Sequence, residues 1–465
     1  MARINPTALL LIFLFAGCFE VDGTYYEEQE IAQNVNKRVT ALVATNINSS
    51  IIGNAESPGD IPEPKTRANT SGVRRTVRHE PPLRGHPGLM HPDTVRIQPV
   101  RRGSYPSVER RNLTHTVSSH TFHAYNNSLE LVSVTATLKY GSEDSRCLIY
   151  LQDGILDGEF DDYDFASIGE LFDATIFPGV SDAFASPTDV DSNGKIVILY
   201  YDMESSSTLG FFYSVDLYDQ ESLNEAYGPG VYNSNGMELF YMNIRWAEPA
   251  HDEMIRTLVH EFQHMVNAGY RISKGYPLLE TWIDEGLAES AEHHVLETPG
   301  QSRIDWMNDD PYGNIRNGLS LMVWNHTIGN YALAYTFMQY LRIQSGLHAD
   351  IYGRILKSRD HDYQGLTRIV SRQNGALSTF PRILRAYRLA NLLQQNTGIF
   401  GYGDENETFQ ITVHDPSVPV ETISLYPGGS ITVRERWSTV ESVTGSGRGE
   451  HIIYSRVNDG YVQEF

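Results

Sequence analysis

Five residues near the middle of the chain constrain it more than any others: His260-Glu261-Phe262-Gln263-His264. Two histidines four positions apart on a helix stand one above the other on the same face, and the flanking sequence asks for a helix. Asp252 is a candidate N-cap, Ile255, Leu258, Val259, Phe262 and Val266 form an apolar stripe at helical spacing, and Gly269 is a candidate stop. Both imidazoles can then reach one Zn²⁺ at about 2.0 to 2.1 Å. Glu261 sits beside the pair rather than in it, where it can take a proton from an attacking water instead of binding the metal. The bland alternative is a pair of surface histidines on an acidic helix.

A second cluster lies downstream, in Glu280-Thr281-Trp282-Ile283-Asp284-Glu285-Gly286-Leu287-Ala288-Glu289-Ser290-Ala291-Glu292-His293-His294. As a helix it places Glu285, Glu289 and Glu292 on one face. A catalytic zinc needs a third protein ligand and an open position. A helix turning back through the connection from Gly269 to Pro277 can offer Glu285, and Glu289 one turn later can accept a hydrogen bond from a metal-binding histidine. Spacing alone does not choose between Glu285 and Glu289 as the ligand, and a solvated acidic face would account for the same residues.

The block His260-Glu261-Phe262-Gln263-His264-Met265, followed by Trp282-Ile283-Asp284-Glu285-Gly286-Leu287-Ala288-Glu289, resembles the gluzincin metallopeptidases, and most closely the hyicolysin family of bacterial exported neutral zinc peptidases. A weaker likeness extends over residues 145 to 395. The resemblance implies a zincin-like two-lobed domain, a mixed sheet lobe followed by a helical lobe, with Glu285 as the third zinc ligand and Glu289 supporting the first histidine. Asp284 stands where Asn is more familiar, and Glu289 where the wider pattern has Asp. The segment Gly329-Asn330-Tyr331 through Leu341 looks like the family's next helix, which makes Tyr331 the candidate oxyanion partner; His293 and His294 are alternative donors. Tyr331, Tyr335 and Met338 could equally be one packed stripe. Endopeptidase action is expected because no G-x-M-E-N-type segment is present to hold a free amine.

Strands precede helices along the chain, which indicates an α+β class. Strand candidates are Leu129 to Tyr140, Cys147 to Leu151, Lys195 to Tyr201 and Met237 to Ile244, the last a candidate edge for pairing with an extended peptide. Helical patterning runs from about Asp252 to Leu393. After Gly401, Thr408 to Val413, Ser430 to Val433 and His451 to Tyr454 indicate a small β-rich C-terminal appendage. The expected organisation is a signal peptide at 1–17, an irregular basic, proline-rich tether or prosegment at 18–115, the catalytic domain at 116–398 and the appendage at 399–465.

Residues 8–18 form a short apolar run behind Arg3, too short to span a bilayer and suited to export. Leu14-Phe15-Ala16-Gly17-Cys18 resembles a bacterial lipobox, so Cys18 is the expected lipid-attachment site and the cell envelope the expected location, with plain secretion as the alternative. Cys147, flanked by apolar residues, is expected in the core. With only two cysteines, a disulfide scaffold or a Cys-rich zinc site is excluded. A net charge of −22 argues against nucleic acid as a partner. Asp189-Val190-Asp191-Ser192-Asn193-Gly194 could turn oxygens of Asp189, Asp191 and Asn193 toward Ca²⁺, although Tyr200 at the twelfth position departs from an EF-hand loop. The expected partners are therefore a peptide substrate and, through Cys18, a membrane. An inert surface-binding lipoprotein on the same scaffold and a calcium-stabilised structural lipoprotein are the competing classes.

Overall fold

Ile196-Val197-Ile198-Leu199-Tyr200-Tyr201 carries no polar residue, and the computed structural model shows why: the strand is covered on both faces. Ile196, Ile198 and Tyr200 face the main core, while Val197, Leu199 and Tyr201 join a second cluster on the other side. The structure describes residues 29–30, 40–47, 118–126, 130–155, 163–205, 207–248, 251–434, 443–445, 452–458 and 461–464. The lipobox with Cys18, and residues 48–115 of the expected tether, lie outside these residues. No helix among the described residues is long and apolar enough to cross a membrane.

The first lobe is a six-stranded mixed sheet in the order Ser119–Tyr125, Leu131–Tyr140, Cys147–Gln152, Ile196–Tyr201, Leu239–Asn243, Gly210–Phe212. Cys147–Gln152, Ile196–Tyr201 and Leu239–Asn243 run parallel, and the outer pairings are antiparallel. Leu239–Asn243 is therefore an inner strand, which corrects the expectation that it forms the free edge. The edge on that side is Gly210–Phe212, a three-residue return strand too short to show a pattern in the sequence. Cys147 is a buried core residue, as expected.

The second lobe is helical, so the fold is α+β with the two-lobed arrangement of a zincin-like domain. Helix His251–Lys274 lies against the sheet, with Asp252 and Glu253 in its first turn and Arg271 and Lys274 in its last, each charge opposing the helix dipole. It does not stop at Gly269. That glycine lies mid-helix, where an added Cβ would stand 2.7 Å from Thr188 Oγ1, so its role is close approach. The stop is Gly275, at φ 65°, where the Gly275 amide donates to Ile272 O and the Tyr276 amide to Arg271 O, the pairing of a Schellman cap.

The C-terminal sheet differs from expectation in two ways. Its inner strand is Thr40–Asn46, which pairs antiparallel with both Ser430–Arg434 and Ile452–Asn458, so the N-terminal stretch is not irregular throughout. Val43 from that strand belongs to the main core. Thr408 to Val413, in contrast, is not a strand; Phe409 and Ile411 are buried against the helical lobe without ladder partners.

Candidate metal centre

Arg271 explains how the chain brings its two motif helices together. Fully buried at the end of the first helix, its guanidinium donates to the carbonyls of Pro277 (2.5 Å), Leu356 (3.0 Å), Ser358 (2.9 Å) and Asp360 (3.3 Å). This clamp fixes the turn from which helix Thr281–Leu296 returns across His251–Lys274. The returning helix must also lie close to Ile328–Ser345, and Gly286 permits it: a Cβ there would be 2.8 Å from Met338 Cγ and 3.2 Å from Ala334 O.

The crossing brings three atoms to one point. His260 Nε2 lies 3.2 Å from Glu285 Oε2, and His264 Nε2 lies 3.4 Å from the same oxygen. A tetrahedron with vertices about 2.0 to 2.1 Å from its centre has edges of about 3.3 to 3.4 Å, so the spacing and the N,N,O donor set both fit Zn²⁺. All three residues are buried. Glu285, left open with Glu289 by spacing, is the carboxylate at this point.

The other ring nitrogens are taken by further carboxylates. His260 Nδ1 is 2.9 Å from Glu292 Oε1 and His264 Nδ1 is 3.0 Å from Asp284 Oδ2, while Asn267 Nδ2 donates to Asp284 Oδ1. Such partners favour the ring with Nδ1 protonated, which would leave Nε2 to bind a metal. Glu289 does not do this for His260. Both of its oxygens accept from Arg303, Nη2 at 2.7 Å and Nε at 3.0 Å, and this buried ion pair fixes the back of the helix instead. The correction has a signal in the sequence: Glu292 is two turns beyond Glu285 on the face already named.

The electrostatics follow from this packing. Burial works against a charged His260, but Glu285 and Glu292 overcome it and push its pKa up to about 9. His264 is likewise raised well above its ordinary value against burial, by Asp284 and Glu285. Burial alone would raise Glu285, yet the two histidines hold it well below the usual carboxylate range. Glu261 is completely buried on the same helix.

Tyr331 enters from helix Ile328–Ser345, whose start is fixed by a capping box between Thr327 and Asn330. Its phenol is pushed well above its ordinary pKa, first by burial and then by Glu285, with Arg303 opposing and Glu289 and Glu261 adding. Its ring packs on Trp324 at 4.9 Å and beneath the Arg303 guanidinium at 5.4 Å. Tyr335 belongs to the packing instead: its hydroxyl accepts from the Gly300 amide and meets His293 Nδ1 at 3.0 Å. His293 is thereby engaged away from the cluster, and His294 packs toward Tyr352 at 6.4 Å. His326, just before the Thr327 cap, was not singled out by sequence, yet burial lowers its pKa while Glu285 raises it, which places it within the field of the cluster.

The expected calcium set gains a member. Ligand atoms of Asp189, Asp191 and Glu238 lie within 4.8 Å of one another. Asn193 stands beside them: its Oδ1 accepts from the Lys195 amide and its Nδ2 donates to Asp191 Oδ2 at 2.6 Å. Glu238, far away in sequence, joins the two aspartates.

The chain is 32% identical over 285 residues to the neutral metalloprotease ShpI of Staphylococcus hyicus, a match covering 57% of this chain and 60% of that protein. The likeness is to a metallopeptidase. The chain thus spans somewhat under two thirds of the relative's length. No family model matches the sequence.

Proposed function

We propose that this chain is a zinc-dependent endopeptidase, exported and held at the cell envelope by lipid on Cys18. The observation that carries the catalytic part is the convergence of His260 Nε2, His264 Nε2 and Glu285 Oε2 at tetrahedral spacing beside a buried Glu261. Similarity to a neutral metalloprotease supports the same reading. Export and lipid attachment rest on residues 1–18 alone.

His260, His264 and Glu285 would hold the zinc, which when bound would supply a Lewis acid that lowers the pKa of water and polarises a carbonyl. Glu292 and Asp284 keep the imidazoles in the tautomer that leaves Nε2 free to bind. Glu261 takes the proton of the attacking water and delivers it to the leaving amine. Tyr331, whose pKa is too high for it to ionise at neutral pH, donates a hydrogen bond to the oxyanion. An extended peptide adds beside the outer strand Gly210–Phe212, not beside Leu239–Asn243. That edge approaches the zinc-binding helix closely: a Cβ on Gly210 would stand 2.8 Å from Thr257 Cγ2, one turn before His260 and Glu261. Calcium at Asp189, Asp191 and Glu238 would stabilise the sheet lobe and take no part in the reaction.

The test is hydrolysis of casein by the purified protein with and without 1,10-phenanthroline. Cleavage that the chelator abolishes and added zinc restores supports the reading. No cleavage by protein carrying one zinc per chain would favour the inert surface-binding alternative.

A further inference from the structure

The strand Thr40–Asn46 belongs to the N-terminal stretch, yet it runs through the C-terminal sheet between two strands from the far end of the chain. On one side it pairs with Ile452–Asn458, from Thr40 against Asn458 to Asn46 against Ile452. On the other it pairs with Ser430–Arg434, from Ala41 against Arg434 to Thr45 against Ser430. Those two strands do not pair with each other, so among the described residues Thr40–Asn46 is what joins them. Both of its faces are covered. Leu42 and Ala44 lie in a small cluster with Ile431 and Val433, while Val43 belongs to the same core as Leu258 and Phe262 of the helix that carries His260 and His264. No residue from Ala41 to Asn46 is more than 1% exposed. The end of the strand is tied as well: the Asn46 amide donates to Gly429 O at 3.0 Å, its carbonyl accepts from the Gly428 amide at 2.9 Å, and its side chain donates to Leu425 O at 2.7 Å.

Withdrawing such a strand would expose apolar side chains on two faces and strip hydrogen-bond partners from two neighbours at once, leaving a slot walled by unpaired amides and carbonyls. The chain runs on to the sheet lobe through residues 48–117, and none of the contacts just named uses them. We propose that the N-terminal stretch is a permanent, noncovalently held part of the catalytic body and not a detachable prosegment. The slot between Ser430–Arg434 and Ile452–Asn458 is a strand-acceptor site, and its occupant is residues 40–46 of the same chain. A cut within 48–117 then gives two pieces that stay assembled, because the hold lies in the ladder and the core rather than in the connecting chain. Where Cys18 carries lipid, which rests on the reading above, such a cut leaves the body at the membrane, and only a cut between Cys18 and Thr40 frees it.

The test uses the full chain with residues 56–62 replaced by the recognition site of a sequence-specific protease and an affinity tag at the C-terminus. After cleavage, shown to be complete on a denaturing gel, the N-terminal piece should co-elute with the tagged body in equal amounts on gel filtration. The Tm of the cut protein, unlike that of the uncut one, should rise with protein concentration, because two pieces now separate on unfolding. A piece that elutes apart from the body, or a Tm that concentration does not move, would overturn the proposal. Leu42→Asp puts a charge into the small cluster and leaves the main core alone, so after the same cut it should shed the piece. Retention of the piece by folded Leu42→Asp would overturn the proposal by placing the hold elsewhere; if that variant does not fold, the unaltered strand still decides. None of these readouts involves zinc or hydrolysis, so failure here and failure of the peptidase reading are told apart.

Discussion

Glu289 and Glu292 stand on one helix face within a turn of each other, yet the structure gives them different work. Glu292 touches His260 Nδ1, so Glu292→Gln should lower zinc affinity about 10- to 100-fold while the protein stays folded, read by titration against a competing chelator. Glu289 is hydrogen-bonded to Arg303 and to no site histidine. Glu289→Ala leaves a buried guanidinium without its partner and should destabilise the protein by about 3 to 5 kcal/mol, read by urea unfolding. Protein that still folds should keep its zinc, whereas Glu285→Ala should lose it. Release of zinc by Glu289→Ala alone would reverse the ligand assignment.

At the scale of elements, the metal site depends on how closely Thr281–Leu296 crosses its neighbours. Gly286→Ala sets two effects against each other. Alanine in an open helix is worth about 1 kcal/mol more than glycine, but here its Cβ meets Met338 Cγ at 2.8 Å. Overpacking of this kind costs about 1 to 3 kcal/mol, so the substitution should lower Tm and weaken zinc binding together, because Glu285 is the preceding residue. A higher Tm would show that the crossing is loose. The same scale separates what could be read in the sequence from what could not. The helix of His260 and His264 was legible because its apolar stripe, paired histidines and charged ends all follow one period. The three parallel strands were legible because burial on both faces leaves them almost wholly apolar. Gly269 read as a stop because a glycine's local meaning, chain termination, is the same whether or not Thr188 lies against it. Three features depend on contacts between distant parts of the chain: the Gly210–Phe212 edge, the Glu238 carboxylate beside Asp189 and Asp191, and the pairing of Thr40–Asn46 with strands near the other end. No local pattern encodes them.

Across the whole molecule, a zinc ion bound by these residues would couple stability to pH. With zinc stripped by 1,10-phenanthroline, His260 has a folded pKa of about 9 against an ordinary value of 6.5, and His264 is shifted the same way. Groups raised on folding stabilise most below their unfolded pKa, and the contribution disappears as pH rises through the folded one. The stripped protein should therefore lose Tm between about pH 6.5 and 9. Zinc requires the neutral imidazoles, so its binding releases protons and tightens over the same range. The gap in Tm between loaded and stripped protein should widen with pH, and a constant gap would contradict the histidine assignments. The peptidase reading itself is tested most directly by casein hydrolysis with the Glu261→Gln protein carrying one zinc per chain. If Glu261 moves the proton, kcat/KM falls by about 10² to 10⁴ with zinc content unchanged. Unchanged turnover at full zinc occupancy would contradict the account.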